Sequence, residues 1–217
     1  MIEMNLKPSR TEGLHILCIG AHCDDIEIGC GGTLLKLIAR HQVAKIKWVV
    51  FASNEIRKME AAESAAHFLK DVPQKEVEIL SFRDAFLQFS ALEIKEHFET
   101  IKRSFEPDVV FTHYRHDRHQ DHRLLSDLAW NTFRAHLILE YEIPKYDGDL
   151  GQPNLYVELT KKQAQQKIDI LLDSFKSQAH KHWFDAETFY SIMRLRAIES
   201  ASQSKFAEAF YARKIKL

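Results

Sequence analysis

Two segments concentrate the residues able to do chemistry. In "GAHCDDIEIGCGG" (20–32), His22 stands two residues before the adjacent carboxylates Asp24 and Asp25, and a glycine cluster follows. In "THYRHDRHQDHR" (112–123), His113, His116, His119 and His122 recur every third residue, with Asp117 and Asp121 between them. His and Asp are common zinc ligands, and a catalytic zinc takes three protein ligands and keeps one position for water. His22 and Asp25 are close enough to hold one ion from a single turn. The third ligand must come from elsewhere, and the histidine-rich segment is the obvious supplier. A separate structural site made by the four histidines fits less well, because structural zinc sites usually recruit cysteine. Adjacent ionised carboxylates repel unless a cation or proton lies between them. With Asp25 on the ion, Asp24 stands beside the ion's water, where a general base is needed in metal-assisted hydrolysis. The plainer role for Asp24 is to cap the following helix. A phosphate cradle is the poorer reading. Gly20, Gly29, Gly31 and Gly32 do not fit a GxGxxG turn, no Gly-Lys-Ser/Thr follows, and the acids would repel a dianion.

These segments need a scaffold. The chain has 217 residues, enough to bury about 70% of its unfolded surface as one domain. With 45% apolar and 28% charged residues it has a globular composition, and a formal charge of −1 gives no field to recruit nucleic acid or an anionic membrane. No run approaches the roughly 18 apolar residues of a membrane span. The N-terminus lacks an apolar signal region, and Cys18, Cys23 and Cys30 form no CxxC pair, so a reducing cytoplasmic location is expected. With no repeat or linker, the expectation is one domain over 1–217, with a core at about 14–160 and a helical C-terminal part at about 161–217.

Strand-like and helix-like runs alternate. Residues 15–21 and 46–52 read as buried strands, 77–80 as a weaker one and 108–113 as another, and "LILEYEI" and "LYVEL" as two more. Helices are expected at 33–42, at 55–70 with Met59, Ala62, Ala66 and Leu69 on the buried face, at 91–105 on Ile94, Phe98, Ile101 and Phe105, and at 122–136. A further helix is expected at 161–179, and the last 25 or so residues also look helical. The pattern predicts an α/β fold with a mostly parallel, Rossmann-like sheet flanked by helices. Ligands of such sheets bind beyond the carboxyl ends of the strands, so the segments after residues 20, 52, 80 and 112 should meet in one cleft. Arg57, Asn54 and Asp84 lie in those segments and are available to hydrogen-bond a ligand there.

"AHCDDIEIGCGGTL" with a downstream "DRHQDHR" resembles the LmbE-like, PIG-L-type zinc-dependent de-N-acetylases. Their first motif reads roughly Ala-His-Pro-Asp-Asp-x-Glu-x-Gly-x-Gly-Gly, and their second contains His-Pro-Asp-His or a close variant. "SNEIRKMEA" is similar to the family's Arg with a Glu three residues on, and "FAEAF" to a recurring tail motif, so the resemblance runs from about residue 15 to 210. It implies His22, Asp25 and His122 as ligands of Zn²⁺, with Fe²⁺ or another divalent ion as the variant. It implies Asp24 as general base, His119 as the group that stabilises the tetrahedral intermediate or protonates the leaving amine, and Asp121 as the orienter of a histidine. Arg57 would reach the substrate's hydroxyls or phosphate, Glu60 would support Arg57 or shape the pocket, and Asp84 would line it. The implied reaction removes an N-acetyl group from an N-acetylglucosamine-type amino sugar or its conjugate, releasing acetate. The alternatives are an amidase for another small-molecule amide and a non-catalytic sugar-binding relative. The family's frequent multimers leave a homo-oligomer open. Two departures stand out. Cys23 and Gln120 replace motif prolines that would fix φ, but neither change removes a ligand.

Overall fold

A computed structural model describes residues 3–8, 10–40 and 42–216. Seven strands form one sheet: β1 (Leu14–Gly20), β2 (Val43–Ala52), β3 (Gln74–Phe82), β4 (Val109–His113), β5 (Leu137–Tyr141), β6 (Leu155–Leu159) and β7 (Phe206–Ala212). Six α-helices connect them: α1 (Asp25–Ala39), α2 (Glu55–Phe68), α3 (Ala91–Ser104), α4 (Gln120–Thr132), α5 (Lys161–Ser174) and α6 (Ala186–Glu199). The strand order is β3-β2-β1-β4-β5-β7-β6. Strands β3 to β5 pair in parallel, and β7 runs antiparallel to both of its neighbours. The expected single α/β domain with a mostly parallel sheet is what the chain forms.

The two-residue period of the strands sorts their side chains into two cores. Ile16, Cys18, Ile46, Trp48, Val109 and Phe111 face one side, where α1, α2, α5 and α6 bring Leu34, Phe68, Ile168 and Phe189. Leu17, Ile19, Val49, Phe51 and Val110 face the other, under Ile94, Phe98 and Ile101 of α3 and Leu125 and Ala129 of α4. Both faces are covered, which is why the central strands read as continuous apolar runs.

Three expectations shift. Helix α1 begins at Asp25 rather than 33, so the glycine cluster is inside the helix. Glycine costs a helix about 1 kcal/mol relative to alanine, which hid this start. Packing accounts for the glycines: a Cβ on Gly29 would lie 2.1 Å from the Tyr141 ring, and one on Gly32 2.5 Å from Leu159. Through the opening left at Gly32 reaches a buried ion pair. Lys167 Nζ donates to the Ile28 carbonyl at 2.6 Å and to Glu208 at 2.7 Å, and Glu208 accepts the Gly32 and Thr33 amides at 2.8 and 2.6 Å. In α2 the buried face is Ala61, Ser64, Ala65 and Phe68, while Met59 is 66% exposed. The polar Ser64 disguised that stripe. The helical reading of the last residues holds for α6 but not for "FAEAFYA", which is strand β7 between β5 and β6. Thus the C-terminal part is not purely helical: it supplies a strand to the sheet, with Ala207 and Ala209 buried on one face and Glu208, Phe210 and Ala212 on the other.

Candidate metal centre and active site

The carboxyl ends of β1, β2, β3 and β4 meet as the parallel topology requires. The turn after β1 is tied to β2 by the Ala52 amide, which donates to the Ala21 carbonyl at 2.8 Å. His22 and Asp24 lie in this turn and Asp25 opens α1. Across β4, His119 is the N-cap of α4, and Asp121 and His122 lie in its first turn.

Three donor atoms converge. His22 Nδ1 is 3.1 Å from His122 Nε2 and 3.4 Å from Asp25 Oδ2, and His122 Nε2 is 3.6 Å from that same oxygen. With bonds of about 2.0–2.1 Å, two ligands of a tetrahedral ion stand about 3.3–3.4 Å apart. The set therefore fits a small divalent ion in spacing and in donor type. A second grouping, Asp25 with His113 and His122, also gathers within 4.8 Å. It fits less well, because His113 Nε2 already accepts the Ala21 amide at 2.9 Å and has spent its lone pair. His113 instead stacks on His122 with ring centroids 3.9 Å apart.

Carboxylates stand behind both histidines. His22 Nε2 faces Asp121 at 3.2 Å and Asp84 at 3.0 Å, and His122 Nδ1 faces Asp117 at 2.9 Å. Such partners fix the tautomer and aim of a ligating imidazole. The histidine that Asp121 lies against is His22. Asp121 also accepts the amides of Ala85 and Leu87, at 2.8 and 3.2 Å, and holds the loop after β3 against the centre.

The remaining predicted residues divide between the site and its frame. Asp24 is buried and pairs with Arg57 Nη2 at 2.9 Å. Arg57 also donates to the Cys23 carbonyl and lies over the Phe175 ring, while its buried Nη1 has no hydrogen-bond partner. Glu60 spends its two oxygens on the amide and hydroxyl of Ser177, each at 2.7 Å. Asn54 caps α2 by accepting the Arg57 amide at 2.9 Å. Cys23 is buried, with its thiol 3.5 Å from the Ala52 carbonyl and turned away from the convergent donors. Gln120 bonds the Ala85 carbonyl at 3.1 Å.

These surroundings set the protonation states. Burial pushes His122 down to about 3, so it is a neutral imidazole able to give a lone pair. Burial opposes the charge on Asp25, but hydrogen bonding with the neighbouring histidines, His22 among them, outweighs it and holds the carboxyl well below its ordinary range. Burial raises Asp24, and the adjacent Arg57 offsets this only in part. For His22, the bonds to Asp121, Asp25 and Asp84 overcome burial and raise its pKa well above the ordinary value. Burial lowers that of His119, with His22 adding to the effect.

Sequence reasoning gave no role to Asp117, His113 or Lys145. Asp117 had a signal, since it lies among the histidines. Lys145 had none.

Residues 17–133, more than half of the chain, match the family model PIG-L, GlcNAc-PI de-N-acetylase. The chain belongs to the PIG-L family. Within curated proteins it is 32% identical over 156 residues to an uncharacterized deacetylase, YaiS, of Escherichia coli (strain K12), covering 66% of this chain and 82% of that one. PIG-L-like architecture extends to solved structures. The N,N'-diacetylchitobiose deacetylase of Pyrococcus horikoshii superposes with a TM-score of 0.71 at 22% identity, over 93% of this chain and 84% of the other. The 4-carboxy-2-hydroxymuconate hydratase GalB of Pseudomonas putida KT2440 has a TM-score of 0.70 at 14% identity, over 94% and 98%. At those identities the likeness is one of fold, and a fold shared with a hydratase does not by itself fix the reaction. No helix among the described residues is long and apolar enough to cross a membrane.

Proposed function

We propose that this PIG-L-family chain is a metal-dependent N-deacetylase. It removes the N-acetyl group from an N-acetylglucosamine-type amino sugar or its conjugate and releases acetate and a free amine. The observation that carries the reading is the spacing of His22 Nδ1, Asp25 Oδ2 and His122 Nε2, 3.1–3.6 Å apart. The family description and the deacetylase relatives from Escherichia coli and Pyrococcus horikoshii support the choice of reaction. His22, Asp25 and His122 would hold a divalent ion, Zn²⁺ first among the candidates, which would supply a water that ionises near neutral pH and would polarise the acyl oxygen.

The side chains do the rest. Asp24, with its pKa raised by burial, takes the proton of the attacking water, and Arg57 holds its carboxylate in line. His119 accepts the Asp121 amide at Nδ1 at 3.3 Å, so its own proton sits on Nε2. That N–H hydrogen-bonds the developing oxyanion, and the proton that Asp24 took from the water passes to the departing nitrogen. The Nη1 of Arg57, which pairs with Glu60 at 3.9 Å but makes no hydrogen bond, and the exposed carboxylate of Asp84 offer polar contacts to the sugar.

The test combines metal analysis of the purified protein with acetate release from a panel of N-acetylglucosaminyl conjugates. Stoichiometric divalent metal and acetate from at least one conjugate are expected. Metal-loaded protein that releases no acetate from any of them would defeat the assigned substrate class.

A further inference from the structure

Behind His122, Asp117 of the second motif continues into an ion-pair chain whose other members, Lys145 and Asp149, belong to neither motif. Lys145 is in the segment after β5, within "PKYDGDL". Its Nζ donates to Asp117 Oδ2 at 2.9 Å and to Asp149 Oδ1 at 2.7 Å, with a further bond of 3.3 Å to the Ile143 carbonyl. Side-chain exposure is 2% for Asp117, 10% for Lys145 and 6% for Asp149, so the chain is shielded from water. Asp117 is the hub. Its Oδ2 faces His122 Nδ1 at 2.9 Å as well as Lys145, and its Oδ1 accepts the His119 amide at 2.7 Å. Asp149 in turn accepts the Arg118 amide at 2.6 Å.

We propose that Lys145 is a positioning residue for the metal ligand His122, acting through Asp117. The inference rests on the metal-site reading above. For His122 to aim the Nε2 lone pair at Asp25 and His22, its Nδ1 must keep a proton and its ring must not turn. Asp117 meets both needs only while its carboxylate is held in one orientation. His122 and the His119 amide grip it from the start of α4, and Lys145, from the segment after β5, grips the same oxygen as His122. Asp149 fixes Lys145 and, through the Arg118 amide, closes the same loop on itself. Cutting the grip at Lys145 leaves a buried carboxylate free to rotate away from Nδ1. Partners that orient a ligating histidine typically account for about 10–100-fold in metal affinity.

The experiment measures Zn²⁺ affinity and dissociation rate by competition with a chromophoric chelator, on protein first stripped of metal. Lys145→Met is expected to weaken Zn²⁺ binding about ten-fold or more. It should also broaden or abolish the His122 Nδ1–H resonance in the metal-free protein. Lys145→Arg restores the affinity to within a few-fold of wild type, which a role in general stability would not predict. Should Lys145→Met fail to fold, Asp149→Asn carries the test, because it releases Lys145 while leaving the charge on Asp117 paired. A smaller loss of affinity, with faster Zn²⁺ release, is expected there. Unchanged affinity and release in every folded variant would overturn the role of Lys145 and leave the metal site standing. Wild-type protein that binds no Zn²⁺ would overturn the site, and this inference with it.

Discussion

Glu27 gives the most searching test of the electrostatics around the site. It lies in the first turn of α1, is 1% exposed, and neither carboxyl oxygen has a hydrogen-bond partner. Burial pushes its pKa up to about 8 from an ordinary 4.5, and the nearby Ser64 offsets this only in part. Between those two values the folded protein keeps a proton that the unfolded chain has released. The unfolded state thus binds fewer protons, and stability must fall as pH rises. Below the unfolded value the contribution is complete, and above about pH 8 the full shift is lost. Integrating between the two pKa values gives a loss of about 2.5 kcal/mol from pH 5 to pH 7. Glu27→Gln has nearly the same shape and cannot titrate. Urea unfolding of metal-free wild type and Glu27→Gln at pH 5, 6, 7 and 8 isolates the effect, because all other titrating groups are common to both. The variant should gain on the wild type steadily across that range. A difference that stays flat from pH 5 to 8 would refute a buried, neutral Glu27.

Other consequences can be checked separately. Asp24→Asn should keep its metal and lose about 10²–10⁴-fold in kcat, measured as acetate release beside metal content; retained metal with near-wild-type turnover would remove Asp24 as the base. His122→Ala takes away one of the three convergent donors, so purified variant should carry little divalent metal by elemental analysis. Gly32→Ala places a Cβ 2.5 Å from Leu159 and 2.9 Å from Glu208. Overpacking of about 1–3 kcal/mol should outweigh the helix-propensity gain of about 1 kcal/mol and lower Tm. Lys167→Met strands a buried Glu208 carboxylate, at a cost of about 3–5 kcal/mol in denaturant unfolding.

What could be read in advance was whatever depends on local period and residue type. The five parallel strands announced themselves through apolar runs such as "HILCIG" and "IKWVVFA", and the convergence of post-strand segments followed from topology. His22, Asp25 and His122 came from the two motifs. The rest depended on contacts between residues far apart in the chain. The early start of α1 was hidden because its glycines answer to Tyr141, Leu159 and Glu208, more than a hundred residues downstream. Asn54 looked free to meet a ligand, and its oxygen is taken by the Arg57 amide; Glu60, expected to support Arg57 or shape the pocket, lies 3.9 Å from Arg57 Nη1 while its oxygens bond Ser177. Lys145 is a lone cation in a polar loop, and nothing local links it to His122. Strand β7 was missed because a short run of alanines and phenylalanines has no preference strong enough to declare a strand without its neighbours.

The position of that strand orders events during synthesis. β7 is made after every other element and then lies between β5 and β6. While residues up to about 200 have emerged from the ribosome, the sheet lacks an interior member. The Lys167 ammonium has no counter-charge, and the Gly32 and Thr33 amides await Glu208. The loop that bears His22 and Asp25 is made first, yet the helix behind it gets its last support from the final segment. A nascent chain stalled short of Phe206 is therefore a target for proteases and chaperones, whatever its content of intact site residues.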